Sequence, residues 1–312
     1  MIDGVKSSKK TVILTCYLIM SLLVCSVFAE DRAAITPNDH ANHVNNDFWQ
    51  SLIRQAKAAG LPIQFLLTMD PDFVTLEFDD LHAFAAEYHP EDHHLILNRS
   101  LSFNAAGGRL KQVTGLTPRE LGTLYHELFH AYMDYISSLS NPEIAGSMAV
   151  RLLAFARDRQ QCQYQQVSIT PIVQRKTRTE VRFLTDRESW EALNETWAVF
   201  VGWAIWTKLE VQRGTSKPGR DDAAQAAWVN RLKKADQDGD LIGYYEPENK
   251  AERSIARKRY LAPSHGITPQ EVNRLLQDVL EYSAAGADRI SGALLSNHVA
   301  LPGSPRCQDL AK

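Results

Sequence analysis

The sequence predicts an α+β fold in which a small sheet lies in the first part of the chain and helices dominate the second. Three observations support this prediction. Short apolar runs with strand-like patterning occur within residues 30–140, a capped amphipathic helix follows them, and a largely helical pattern extends over residues 141–312. One domain over residues 30–312 is expected, with these two parts inside it.

The segments of the first part can be assigned in order. Residues 46–59 predict a helix, and the next two apolar runs, 61–67 and 74–78, predict strands. Residues 83–88 and 93–98 flank the turn-forming sequence His-Pro-Glu-Asp, which predicts a hairpin just before the capped helix. The sheet is therefore expected to be small and antiparallel or mixed.

The capped helix contains the one stretch of the chain whose residue spacing predicts a specific chemical function. The sequence Thr-Pro-Arg-Glu at 117–120 supplies an N-cap, a proline at the first helical position and a capping-box carboxylate. About two turns later comes His-Glu-Leu-Phe-His, in which His126 and His130 lie on one helix face. Both imidazoles can then reach one Zn²⁺, with Glu127 beside the open position of the metal, and this geometry is typical of a zinc hydrolase.

A third ligand is expected on the strongly apolar helix at 189–206. Glu191 and Glu195 share one face of this helix, which continues as Ala198 and Gly202, both small enough to let another helix approach closely. A carboxylate buried there needs a counter-charge, which zinc held by the two histidines would supply. Glu195 is the preferred ligand, and Glu191 is the alternative.

These two segments together resemble the gluzincin zinc metallopeptidases, in which His-Glu-x-x-His is followed by Asn-Glu-x-x-Ala. The resemblance implies a zincin-like fold, with His126, His130 and Glu195 as zinc ligands and Glu127 as the general base. It also implies that a strand before the motif helix binds extended substrate, a role expected here for residues 94–98. The resemblance covers only the two motif helices, and the intervening residues 131–194 are more numerous than in many gluzincins.

The function predicted from these residues is hydrolysis of peptide bonds in a peptide or protein substrate. Glu127 would take a proton from the attacking water and pass it to the leaving amine. A further donor should stabilise the developing oxyanion, and Tyr244, Tyr245 and His265 are the candidates in nearby loops. The alternative is a non-catalytic exported binding or scaffold protein that keeps zinc for stability.

Residues 1–29 have the pattern of a secretory signal peptide. Three lysines precede the apolar run 11–28, and the Val-Phe-Ala sequence before Glu30 supplies suitable cleavage positions. The mature chain is expected to begin at Glu30, to be secreted or periplasmic, and to have no membrane attachment. An uncleaved membrane anchor is the competing interpretation, because the run approaches a spanning length.

Charge and cysteine content add two further expectations. The segment removed carries a net charge of +2, so its loss changes the net charge from −3 to −5, which argues against a nucleic-acid-binding protein. Cys162 and Cys307 remain and could form one disulfide in an oxidising compartment, although two thiols are also compatible with the sequence.

Two other groups of polar residues could hold metal ions but have simpler interpretations. His89, His93 and His94 lie at the predicted hairpin turn and are expected to be exposed, not to form a second metal site. The sequence Asp-Gln-Asp-Gly-Asp at 236–240 is similar to the start of a calcium-binding loop. It lacks the central glycine and one residue of length, so a polar turn between helices is expected.

Overall fold

The protein is described from a computed structural model, which covers five segments of the chain: residues 38–82, 85–104, 109–170, 179–214 and 221–294. Contacts divide the chain into two compact units, Met1–His43 and Val44–Lys312. Of the first unit only the start of one helix is described, and everything below concerns the second unit. The predicted signal segment and Cys307 lie outside the described residues.

The described chain is a mixed α+β structure in which helices predominate. Its α-helices are α1 (Asn38–Ala58), α2 (Gln64–Thr68), α3 (Pro118–Ser138), α4 (Gly146–Arg159), α5 (Asp186–Gly214), α6 (Asp221–Asp238), α7 (Lys250–Ile255), α8 (Pro269–Asp278) and α9 (Ala284–Leu294). Its strands are β1 (Thr75–Asp79), β2 (Ala86–His89), β3 (His94–Asn98), β4 (Gln166–Ile169), β5 (Glu180–Phe183), β6 (Tyr244–Tyr245) and β7 (Arg259–Tyr260).

The first sheet has the order β1-β3-β2, with β1 parallel and β2 antiparallel to β3. The predicted hairpin is confirmed as β2 and β3, but the prediction that residues 94–98 form the substrate-binding edge is wrong. Strand β3 is hydrogen-bonded on both sides, so its backbone groups are already paired. The edge strand beside the motif helix is β2, whose Tyr88 N–H donates to Glu127 on that helix.

The prediction of a strand at 61–67 is also wrong, because residues 64–67 belong to the short helix α2. The carboxylate of Glu281 accepts hydrogen bonds from the backbone N–H groups of Ile63, at 2.5 Å, and Gln64, at 2.7 Å. A carboxylate at a helix N-terminus satisfies amides that would otherwise lack partners. Glu281 lies 217 residues after Gln64 in the chain, so no local sequence pattern could indicate this contact.

The centre of the molecule is the contact between α3 and α5. A β-carbon built on Gly122 of α3 would lie 2.8 Å from the carbonyl oxygen of Gly202 on α5, and one built on Gly202 would lie 2.9 Å from the carbonyl oxygen of Gly122. Real side chains do not tolerate such distances, so the two helices approach this closely only because both positions are glycine. The predicted close approach at Gly202 is therefore present.

The second part of the chain is mostly helical but contains two small antiparallel sheets, β4-β5 and β6-β7. A bridge between Ile169 and Leu261 joins them, so β6 and β7 are held against the rest of the molecule. The late helix α8 begins at a capping box formed by Thr268 and Glu271. The sequence at 236–240 begins inside α6, which runs to Asp238, and not in an open loop of the calcium-binding kind.

Candidate metal centre

Three metal-ligating side chains converge where α3 and α5 meet. The ligand atoms of His126, His130 and Glu195 all lie within 4.8 Å of one another. The two histidine Nε2 atoms are 3.1 Å apart, and Glu195 approaches them with Oε2 at 3.7 Å from His126 and Oε1 at 3.4 Å from His130. The preferred third ligand, Glu195, is in this cluster, and Glu191 is not.

Helix geometry and close packing place these groups. The capping box of Thr117 and Glu120 fixes the start of α3, and the two histidines then follow one turn apart on the same face. Gly202 packs against His126, since a β-carbon at that glycine would be 3.2 Å from the β-carbon of His126. The glycine contact between the helices therefore sets the distance between the histidines and Glu195.

The polar atoms of the cluster fit a bound cation. Oε2 of Glu195 is buried and has no hydrogen-bond partner among the described residues. An unpartnered buried carboxylate oxygen is costly, and a cation between it and the imidazole of His126 would satisfy it. Two imidazoles and one carboxylate are a donor set typical of catalytic zinc sites.

Neighbouring groups orient the cluster side chains from outside. The backbone of Ala198 lies beside the His126 imidazole, and Asn194 lies beside the His130 imidazole. Polar groups next to a metal-ligating histidine help to fix the orientation of its ring. Tyr244 lies beside the Glu195 carboxylate, and burial together with the charge of Glu195 raises the pKa of its hydroxyl well above the usual value.

Electrostatics show how the cluster is charged without a metal. Burial would raise the pKa of Glu195, but the neighbouring His130 and His126 lower it to about 2. Burial would lower the pKa of His130, but Glu195 raises it to about 9, whereas burial and the charge of His130 lower the pKa of His126 to about 4. These shifts favour a protonated His130 beside an ionised Glu195 in the absence of a metal ion, and a bound metal ion would compete with that proton.

Glu127 lies beside the cluster without being part of it. Its Oε2 accepts a hydrogen bond of 3.0 Å from the Tyr88 N–H, and its Oε1 is 3.8 Å from Nε2 of His126. Burial raises the pKa of Glu127 to about 8, with Glu195 adding to the rise and His130 opposing it. A carboxylate with such a pKa can both accept and release a proton near neutral pH.

Of the three predicted oxyanion stabilisers, only Tyr244 contacts the cluster. Tyr245 is the next residue of β6, so its side chain points to the opposite face, where it is buried. His265 is also buried, with its Nε2 2.8 Å from the carbonyl oxygen of Gln163 and its ring against Tyr164. Neither Tyr245 nor His265 has a described interaction with the metal-ligating groups.

Three residues that the sequence did not single out contribute to the surroundings of the site. The Tyr88 hydroxyl donates to Asp134 on α3 at 2.7 Å, so Tyr88 ties β2 to the motif helix through both its backbone and its side chain. Lys258 donates to the Tyr244 hydroxyl at 2.6 Å. Asp134 lies one turn after His130, a spacing that could have indicated a group on the same helix face.

The hairpin histidines do not form a second metal cluster among the described residues. Each contacts a different carboxylate. The pairs are His89 with Glu87 at 3.6 Å, His93 with Asp134 at 2.8 Å, and His94 with Glu77 at 3.2 Å. They are partly exposed, as expected, but His93 is drawn into the Tyr88–Asp134 contact next to the site.

Cys162 forms a disulfide bond. Because Cys307 lies outside the described residues, the pairing of these two cysteines stays a prediction.

Comparison of the chain with protein-family models, curated proteins and solved structures gives no match. Within the described segments, no helix combines the length and apolar character needed to cross a membrane.

Proposed function

We propose that this protein is an exported zinc-dependent metallopeptidase of the gluzincin type, with a zincin-like fold. The observation that carries the proposal is the convergence of His126, His130 and Glu195, with Glu127 held beside them by the backbone of Tyr88. A site that only stabilised the fold would not require a second acid, Glu127, at this position. The N-terminal sequence supports export to a secreted or periplasmic location.

The chain's own residues account for binding and proton transfer. His126, His130 and Glu195 would hold the ion, which when bound supplies a Lewis acid that polarises a carbonyl group and eases loss of a proton from water. Glu127 would accept the proton of the attacking water at its carboxylate and donate it to the leaving amine, which its pKa permits. Tyr244, which lies beside Glu195, would donate a hydrogen bond from its hydroxyl to a developing oxyanion.

The substrate chain would align along β2. Because the Tyr88 N–H donates to Glu127, Tyr88 directs its backbone groups away from β3, and strand alternation gives Ala86 the same direction. Apart from the Tyr88 N–H, which donates to Glu127, these outward-facing groups at the outer edge of β2 have no described backbone partner and lie next to the proposed base. An extended peptide could add to this edge as a further strand.

The test uses an unfolded, carboxymethylated protein as a generic substrate. We expect hydrolysis that a chelator abolishes and added zinc restores. The Glu127→Gln variant should keep stoichiometric zinc but lose hydrolysis by a factor of about 10²–10⁴, because only the proton acceptor is removed. Replacement of the exposed Glu143 by Gln is the control and should change neither property.

Three outcomes would contradict the proposal. Wild-type protein that binds zinc without hydrolysing any unfolded substrate would favour a structural zinc site in an exported scaffold. Full activity in the Glu127→Gln variant would show that Glu127 is not the general base. Loss of zinc from that variant to the same degree as its loss of activity would show that Glu127 is needed for metal binding.

A further inference from the structure

Three consecutive basic residues, Arg257, Lys258 and Arg259, lie at the start of β7, and they differ in their partners. Arg257 contacts Glu246 at 2.7 Å, and the buried Arg259 contacts Glu252 at 3.5 Å. Among the described residues, no carboxylate lies within ion-pair distance of Lys258. Lys258 therefore has no acidic partner among the described residues, whereas both of its neighbours have one.

Lys258 is nevertheless held in place beside the metal centre. Its Nζ donates to the Tyr244 hydroxyl at 2.6 Å and lies 3.9 Å from the centre of the Tyr244 ring. A hydrogen bond and a cation–π contact to the same side chain fix the ammonium group with little remaining freedom. Tyr244 in turn lies close enough to Glu195 for that carboxylate to raise the tyrosine pKa, so one side chain separates the ammonium group from a proposed metal ligand.

We propose that Lys258 binds a carboxylate of the substrate next to the scissile bond. A lysine ammonium has three donors, and Tyr244 occupies one, which leaves two for an incoming anion. The pairing of the lysine with a tyrosine positions its charge without neutralising it. This inference rests on the proposed peptidase function and specifies the class of substrate.

The position of Lys258 restricts where that carboxylate lies along the substrate. Only the Tyr244 side chain lies between the ammonium group and Glu195, so a carboxylate bound there would be within about one residue of a carbonyl at the proposed metal centre. Two sources of this carboxylate are compatible with that distance. One is the C-terminus of a peptide cleaved near its end, and the other is an aspartate or glutamate side chain next to the cleaved bond.

The experiment measures peptide binding and hydrolysis separately. Bonds cleaved in an unfolded protein are first mapped by mass spectrometry, and two matched peptide pairs are made from a cleaved sequence. One pair has a free C-terminal carboxylate or its amide, and the other has glutamate or glutamine beside the cleaved bond. Binding to the zinc-loaded Glu127→Gln protein is measured by calorimetry, and kcat/KM is measured with wild-type protein.

If the inference is correct, the charged member of one pair binds about tenfold or more tightly than its neutral partner, as a charge-assisted hydrogen bond allows. The pair that shows the difference identifies the source of the carboxylate. Lys258→Met should remove the difference, and Lys258→Arg should retain most of it. Arg257→Met, which removes the neighbouring exposed cation, should leave it unchanged.

Zinc stoichiometry of each variant shows whether the cluster is intact. The inference is overturned if neither peptide pair differs in its binding to the zinc-loaded Glu127→Gln protein with Lys258 intact. It is also overturned if Lys258→Met weakens charged and neutral peptides equally, since the lysine would then act only by positioning Tyr244. Failure of the peptidase function is a separate result: if no bond of the unfolded protein is cleaved, the same two pairs are made on an arbitrary peptide sequence and compared by binding alone.

Discussion

The close contact between α3 and α5 predicts that Gly202→Ala damages both stability and metal binding. The added methyl group would lie 2.9 Å from the Gly122 carbonyl oxygen and 3.2 Å from the β-carbon of His126. Overpacking of this kind costs about 1–3 kcal/mol, against a gain of about 1 kcal/mol because alanine favours a helix over glycine. A net loss of about 0–2 kcal/mol is therefore expected.

Gly292→Ala is the matched control, because Gly292 also lies in a helix but has no atom near the position of an added methyl group. This variant should gain about 0.5–1 kcal/mol through its backbone alone. The two variants should consequently differ by about 0.5–3 kcal/mol in the free energy of unfolding, measured by urea titration in the presence of a chelator.

Metal binding gives the second measurement. Moving α5 away from α3 separates Glu195 from the two histidines, so zinc affinity in Gly202→Ala should fall about tenfold or more, as it does when the support of a metal ligand is lost. Competition with a chromogenic chelator measures this affinity. If Gly202→Ala matches Gly292→Ala in both unfolding and zinc affinity, the glycine contact does not position the cluster.

Three further predictions follow from the site and its surroundings. Glu195→Gln should weaken zinc binding about tenfold or more, whereas Glu191→Gln should change it little. Zinc titration of both variants measures this, and a larger loss of zinc affinity in Glu191→Gln than in Glu195→Gln would contradict the assignment. Burial lowers the pKa of His265, so the unfolded chain binds its proton at a higher pH than the folded protein does, and stability should fall as pH drops below about 6.5. In thermal melts across pH 5–8, the melting temperature of His265→Gln should fall less at low pH than that of wild-type protein. Equal pH dependence in the two proteins would show that His265 does not cause the loss of stability. Cys162 and Cys307 should resist thiol labelling in the native exported protein and react after reduction.

The features predicted correctly from the sequence are those that depend on nearby residues. The capping box at Thr117 connects residues three apart, so the start of α3 could be located from the chain alone. The histidine pair and the small residue Gly202 were likewise recognisable from helical spacing. Local patterns therefore identified both helices of the metal centre.

The features that were missed depend on contacts between distant parts of the chain. Residues 61–67 contain an apolar run compatible with either a strand or a helix, and the carboxylate of Glu281 decides between them. The order of strands in the first sheet follows from the parallel pairing of β1 with β3, which the hairpin pattern does not indicate. Lys258 could not be selected because its place beside Tyr244 is set by the pairing of β6 with β7.

The division of the cluster between two helices has a consequence for the lifetime of the folded protein. His130 and Glu195 come from α3 and α5, so an ion held by both helices would bind only the folded chain. By mass action, each tenfold rise in free zinc above the dissociation constant then adds about 1.4 kcal/mol to the free energy of unfolding. The abundance of this protein in a protease-containing compartment should therefore track the supply of metal there, independently of any catalytic turnover.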